Sequence, residues 1–84
     1  MLEATAYYER ERSGLGALFL DSVEACVEGV MDFPQSGRPL DGEIRQRHVK
    51  RFPYALVYRI SADEIRILAV MHLRRRPFYW ADRS

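Results

Sequence analysis

The chain of 84 residues is 48% apolar and 12% aromatic, which is typical of one small folded domain and not of a disordered segment. Its single cysteine, Cys26, excludes an internal disulfide, and no apolar run approaches the ~20 residues that a membrane-spanning helix needs. We therefore expect one cytoplasmic domain, residues 1–84, with no signal peptide and no membrane segment.

Two helices are predicted at the start of the chain. Residues 2–12 contain no Gly or Pro, and their Ala, Leu, Glu and Arg side chains favour a helix. The two glycines of "SGLG" (residues 13–16) then predict a tight turn. From Leu15 onward the apolar residues follow the i, i+3, i+4 spacing of an amphipathic helix, which Pro34 ends, so a helical hairpin is expected. The apolar stripe of the second helix is Leu15, Leu18, Phe19, Val23, Cys26, Val27 and Val30.

A loop and three strands are predicted to follow. Residues 34–43 contain two prolines and two glycines and should form a loop. Strands are indicated by the alternation in "IRQRHVKRF" (44–52) and by the β-branched and aromatic residues of "YALVYRI" (54–60) and "EIRILAVMH" (64–72). The last is the most apolar and is expected to be flanked by strands or covered by helix. The predicted class is α+β, a helical hairpin packed on a three-stranded antiparallel sheet, four-stranded if an upstream strand exists.

The net charge of +1 hides an acidic and a basic half. Residues 1–43 carry three basic and nine acidic side chains, a net charge of −6, whereas residues 44–84 carry ten basic and three acidic ones, a net charge of +7. This asymmetry favours a polyanion or an acidic protein as the partner of the second half. The alternative is that the two halves neutralise each other across the fold.

Three stretches of the chain are informative in combination, because they occur in a specific order and spacing. They are Gly14-Leu15-Gly16 with Phe19, then "RFPYALVYRI" (51–60), then His72 with "RRRP" (74–77) and Trp80. Together they resemble the RelE/ParE superfamily of toxins from bacterial type II toxin–antitoxin systems, which includes ParE-like plasmid stabilization proteins.

The resemblance implies the same fold, with one departure. Members of that family usually begin with a β-strand before the first helix, whereas this chain begins within the first helix. Without that strand, one edge of the sheet would lie open to pairing with another chain. We therefore expect dependence on a partner or self-association, as a homo-oligomer or as a toxin–antitoxin hetero-oligomer.

The resemblance also implies a cognate antitoxin as partner, no cofactor and no metal, and two alternative mechanisms. One branch of the family blocks DNA gyrase without hydrolysing anything, and "FPYALVYRI" and "AVMHLRRRP" look more like that branch. The other branch is a ribosome-dependent mRNA interferase, an endoribonuclease, which often has arginines where this chain has Ala55 and Leu73. Gyrase inhibition is therefore the preferred hypothesis and mRNA cleavage the alternative. A truncated, inactive module that only binds the antitoxin is the third hypothesis.

The stretch "HLRRRPFYW" (72–80) carries most of the candidate site residues. Guanidinium groups bind phosphate through paired hydrogen bonds, and aromatic rings stack on bases. If the chain is a ribonuclease, the resemblance makes His72 and Tyr79 the candidate catalytic proton carriers. The alternatives are that the arginine run is a solvated turn and that Trp80 closes the core. The side chains expected to contact the target are Arg51, Arg59, Arg74, Arg75, Arg76 and Trp80.

Overall fold

The computed structural model describes residues 2–74, which form two helices packed on a four-stranded antiparallel sheet. The sheet order is β1-β2-β3-β4, so each strand pairs with its neighbour in the sequence. The α+β class, the helical hairpin and the meander of the last three strands are confirmed. The elements in chain order are α1 (Leu2–Glu11), α2 (Leu15–Asp32), a 3-10 turn (Pro34–Ser36), β1 (Arg38–Asp41), β2 (Ile44–His48), β3 (Tyr54–Ile60) and β4 (Ile65–His72).

The origin of the fourth strand differs from the prediction. Residues 34–43, predicted as a loop, contain the 3-10 turn and β1, which pairs with β2. An edge strand tolerates Pro39, since the N–H that proline lacks is not needed on the outer side of the sheet. The fourth strand therefore comes from within the chain and not from an upstream segment. In addition, β2 ends at His48, whereas the strand predicted from the sequence ended at residue 52. Arg51 therefore lies in the turn that precedes β3.

The glutamate Glu9 joins the two helices of the hairpin. Gly14 precedes α2 with a φ of 89°, in the left-handed region, and offers no side chain to cap the helix. The carboxylate of Glu9 instead accepts hydrogen bonds from the backbone N–H of Gly14 and from that of Gly16, each at 3.1 Å. Its charge lies at the positive end of the α2 dipole. Gly16 lets the two helices pack this closely, because a Cβ at this position would lie only 2.9 Å from the Thr5 carbonyl oxygen of α1.

The main core lies between the helices and one face of the sheet. Phe19, Val30 and Tyr58 are completely buried there. The hydroxyl of Tyr58 donates to the carbonyl oxygen of Pro34 at 2.6 Å, which ties β3 to the 3-10 turn. Leu18, at the margin of the predicted stripe, is 38% exposed and takes no part in this core.

The strand that is buried on both faces is β3 and not β4. Ala55 and Val57 of β3 are completely buried in a second, smaller cluster on the far face of the sheet. By contrast, no strand within residues 2–74 pairs with the outer edge of β4, and its Ile67 is 37% exposed. Of the two alternatives expected for β4, strands on both sides are not found within residues 2–74, whereas Ile65 and Val70 do pack against the core under the helices. The expected open edge lies at β4 in the described part of the chain.

Replacement of Glu9 by alanine should lower the free energy of unfolding by about 1–2 kcal/mol, because the first turn of α2 loses its acceptor. Chemical denaturation followed by circular dichroism measures this loss. Glu24→Ala is the matched control, since Glu24 is exposed on α2 and should change stability by less than about 0.5 kcal/mol. Equal losses in the two variants would contradict the capping role of Glu9.

Candidate functional site

One end of the sheet collects the candidate residues that the structure brings together. Arg51 lies in the β2–β3 turn, β4 ends at His72, and Arg74 follows directly. Tyr54, the first residue of β3, lies opposite His72 in the sheet. The N–H of Leu73 donates to the carbonyl oxygen of Pro53 at 2.9 Å, which fixes the chain after β4 against the turn. We call residues 49–54 and 72–74 the turn end of the sheet.

Arg59 lies at the opposite end. It is five residues beyond Tyr54 along β3, which is about 17 Å at the rise of a β-strand. Its neighbour across the sheet is Arg66 of β4. One phosphate or carboxylate therefore cannot contact both Arg59 and His72. The remaining predicted site residues, Arg75, Arg76, Tyr79 and Trp80, lie outside the described residues.

Aromatic rings connect the helical hairpin to the turn end. The ring centroid of Phe19, from α2, lies 5.1 Å from that of Phe52 and 5.2 Å from that of Tyr54. Tyr8 of α1 packs on Phe52 at 4.7 Å. Tyr54 then meets the imidazole of His72 edge to face at 4.9 Å. Such contacts restrain ring orientation, so His72 is held against a buried framework.

A cavity of about 710 Å³ opens between α1 and the turn end. We call it the α1 cavity. It offers a partner two guanidinium groups, one carboxylate, an imidazole and three phenol rings, a mixture that suits a protein side chain or a stacked base with an adjacent anion. The residues that supply these groups are Glu3, Tyr7, Tyr8, Arg10, Tyr54, His72 and Arg74.

The protonation pattern of His72 follows from one backbone contact. The N–H of Arg74 donates to Nδ1 of His72 at 3.1 Å, so the neutral ring carries its proton on Nε2. His72 therefore orients the chain at Arg74 as well as lining the cavity.

The phenol groups of α1 remain protonated at neutral pH. The hydrogen bond of Tyr7 with Glu11, and then the charge of that carboxylate, raise the pKa of Tyr7 above its ordinary value. Burial, followed by the neighbouring Tyr7, raises the pKa of Tyr8. Neither hydroxyl is a base at neutral pH. The hydroxyl of Tyr7 donates to Glu11, whereas that of Tyr8 can donate a hydrogen bond to a partner.

No carboxylate within residues 2–74 neutralises the cations at the turn end. Within residues 2–74 the salt bridge that forms joins Arg66 to Glu64 at 3.3 Å, at the opposite end of the sheet. Arg51 and Arg74 consequently have no carboxylate of the described residues within 4 Å. Mutual neutralisation of the two halves therefore does not occur through ion pairs in this part of the molecule, and the positive charge is presented to solvent.

Two arginines of β2 have a structural role instead. Arg45 and Arg47 lie on the helix-facing side of the sheet, opposite Tyr58 and Leu56. Arg45 donates to the carbonyl oxygen of Gly37 at 2.7 Å, and Arg47 donates to the hydroxyl oxygen of Ser36 at 3.1 Å. These bonds hold the 3-10 turn and β1 on the sheet, so neither guanidinium is simply a surface charge.

The contribution of α1 to the site was missed by sequence reasoning. Tyr7 is 51% exposed and lines the α1 cavity, and Tyr8, which also borders that cavity, packs its ring in the aromatic cluster. A signal was present, because adjacent residues of a helix point in different directions and cannot both face one core. In such a pair, the tyrosine that does not face the core, here Tyr7, is a candidate for a surface role.

The comparison with protein families agrees with this architecture. The family model described as "ParE toxin of type II toxin-antitoxin system, parDE" matches residues 2–77. The chain belongs to this family. The resemblance to RelE/ParE toxins is thereby confirmed and assigned to ParE, and a cognate antitoxin is confirmed as the partner expected of such a toxin. No curated protein and no solved structure matches the chain significantly.

Two further properties concern residues 2–74 of this ParE-family toxin. Neither of its helices in that range is long and apolar enough to cross a membrane. The same residues contain no group of three or more His, Cys, Asp and Glu side chains arranged to hold a metal ion.

The raised pKa of Tyr7 predicts an alkaline loss of stability. Because the folded-state pKa exceeds the unfolded value of about 10, the contribution to stability is complete below that pH and is lost as the pH rises through the folded-state pKa. Near-ultraviolet absorbance titration and melting temperatures above pH ~10 measure it. Glu11→Gln, which removes the carboxylate charge, should shift the titration of Tyr7 to lower pH, and an unchanged curve would refute the assignment.

Proposed function

We propose that this ParE-family toxin inhibits DNA gyrase by binding to it through the turn end of the sheet, and that its cognate antitoxin neutralises it. The observation that carries the proposal is the family match over residues 2–77. The turn end adds a physical basis, because it presents Arg51 and Arg74 without carboxylate partners in the described chain. An acidic surface of a target protein would supply the missing counter-charges.

The arrangement of the described residues supports binding over hydrolysis. Cleavage of RNA requires a base, an acid and positive charge around one phosphate. Arg59 is too far from His72 to share that phosphate, and the phenol groups of Tyr7 and Tyr8, which remain protonated, cannot serve as the base. An inhibitor that acts by contact needs only a rigid surface of suitable charge, which the aromatic cluster supports.

One observation favours the second candidate, ribosome-dependent mRNA cleavage. His72 and Arg74 line the same open cavity, and its tyrosines could stack on a base. The third hypothesis is an inactive module that binds only the antitoxin. A growth assay distinguishes it from gyrase inhibition and from mRNA cleavage. Expression without antitoxin should arrest growth if the chain is toxic and should leave growth unchanged if it is a passive module.

Purified chain should inhibit DNA supercoiling by gyrase, and its expression should induce the response to DNA damage. Arg74→Glu should weaken this inhibition by about tenfold or more, because it reverses a charge at the contact. Arg66→Glu is the matched control, since it makes the same charge change at the opposite end of β4 and breaks only an exposed salt bridge. Equal inhibition by the two variants would argue against the turn end as the contact.

His72→Gln distinguishes contact from proton transfer. Glutamine keeps hydrogen-bonding groups but cannot titrate, so gyrase inhibition should fall by less than about tenfold. Loss of a catalytic proton carrier would instead lower RNA cleavage by about 100- to 10,000-fold. Cleaved transcripts on translating ribosomes that disappear in His72→Gln, together with unaffected gyrase, would replace the first candidate by the second.

A further inference from the structure

The two edges of the sheet differ in how well they resist pairing with another chain. Edge strands of natural proteins are usually short or carry proline and charged residues, because these features block the approach of a further strand. The edge strand β1 has them, since it is four residues long and contains Arg38, Pro39 and Asp41. By contrast, β4 is eight residues long, contains no proline and has a single residue among Lys, Arg, Asp and Glu, namely Arg66. The edge of β4 is therefore the one suited to strand pairing.

The outer edge of β4 is also apolar and partly uncovered. The five residues from Ile67 to Met71 are all apolar, and no strand within residues 2–74 lies beside them on the outer side. The side chain of Ile67 is 37% exposed, as is that of Leu73 directly after the strand. Main-chain hydrogen bonds to such an edge supply affinity, and its side chains select the register of the added strand.

The charges at the two ends of β4 have opposite signs. Asp63 and Glu64 precede the strand, and Arg74 follows it. Asp63 and Arg74 are exposed, and neither forms a salt bridge with another of the described residues. In an antiparallel pair the start of each strand lies beside the end of the other, so two copies of β4 would bring opposite charges together at both ends. The strand that complements β4 is therefore a second β4.

An irregularity in β4 fixes the register of this pairing. Leu68 is an extra residue of β4 that has no counterpart in β3, and both it and Ala69 pack on the side of the sheet away from the helices. The residues that flank this pair, Ile67 and Val70, lie on the helix side. A two-fold axis between Leu68 and Ala69 therefore places side chains of the same face opposite one another.

We propose that two copies of this chain pair through the outer edges of β4, antiparallel about a two-fold axis between Leu68 and Ala69. The two four-stranded sheets would then form one continuous sheet. Ile67 of each copy would pack beside Val70 of the other, and Asp63 of each copy would lie opposite Arg74 of the other. Because the interface is isologous, each of these contacts occurs twice.

Dimerisation of this kind would have a consequence for the turn end. Arg74 belongs both to the β4 interface and to the turn end, so a paired copy would place its own Asp63 against a cation of the target contact. Target binding would then require dissociation of the dimer. This consequence rests on the proposed function, whereas dimerisation itself does not.

Sedimentation equilibrium of the purified full chain tests the proposal. We expect a dimer of twice the 9.8 kDa mass of the chain. Ile67→Lys should raise the dissociation constant of the dimer by about tenfold or more, because it places two lysines in the apolar part of the interface. Leu20→Lys is the matched control, since Leu20 is 40% exposed on α2, and this variant should dimerise within about twofold of the unchanged chain.

An exchange of charges identifies the register without changing the apolar residues. Asp63→Arg alone and Arg74→Glu alone should each weaken dimerisation by about tenfold, because like charges then face each other at both ends. An equimolar mixture of these two variants should dimerise within about threefold of the unchanged chain, because each copy supplies the charge that the other requires. Arg38→Glu, at the edge formed by β1, is the control and should dimerise normally.

Several results would overturn the proposal. A monomer at millimolar concentration would do so, whether the amide hydrogens of β4 exchange fast, as on a bare edge, or slowly, as on an edge covered by residues 75–84. A dimer that Ile67→Lys and Leu20→Lys weaken equally, or that the mixture of charge variants does not restore, would place the interface elsewhere. Circular dichroism of each variant identifies a loss caused by misfolding, and the exposed Asp63 and Arg74 variants then decide the question. Since no measurement includes gyrase or RNA, failure of the proposed target would leave this test valid.

Discussion

The packing of Phe19 against Phe52 and Tyr54 is the contact on which the arrangement of the two layers depends. Phe19 is completely buried, and it joins α2 to both the β2–β3 turn and the first residue of β3. Removal of such a ring typically costs about 3–5 kcal/mol, a large part of the roughly 5–15 kcal/mol that stabilises a small domain. Because Tyr54 in turn contacts His72, the interaction that closes the core also orients the turn end. Stability and the geometry of the proposed contact are therefore coupled.

The division of charge along the chain has two structural consequences. Part of the positive charge is used internally, since Arg45 and Arg47 bind the 3-10 turn through its carbonyl and hydroxyl oxygens. The rest, at Arg51 and Arg74, receives no carboxylate from residues 2–74 and remains at the surface. A surface of unpaired guanidinium groups accelerates encounter with an acidic protein and loses that advantage as salt rises. Charge thus favours an acidic partner, while the aromatic core holds the turn end in place.

The sequence was most informative where local rules agree with the tertiary structure. Both helices and β3 follow from periodicity and composition, because each buries a face that its own pattern defines. The strand β1 was missed because Pro39 and its flanking glycines signal a loop, and its pairing with β2 depends on the tertiary bonds of Arg45. The types of residue in the site were predictable from the sequence, but which of them lie together was not. The separation of Arg59 from His72 follows from the predicted hairpin, because Arg59 lies beside its turn and His72 at its open end. The approach of Tyr7 and Arg10 to His72 depends instead on how α1 packs on the sheet, which no local pattern specifies.

The β2–β3 turn borders two cavities. On one side, Pro53 lines the α1 cavity with His72, and on the other, Lys50 and Arg51 line a cavity of about 420 Å³ between α2 and β2. A turn held by Phe52 in the aromatic cluster cannot adjust its two sides independently, because both are attached to the same partly buried ring. A ligand in either cavity would therefore act on the same short segment.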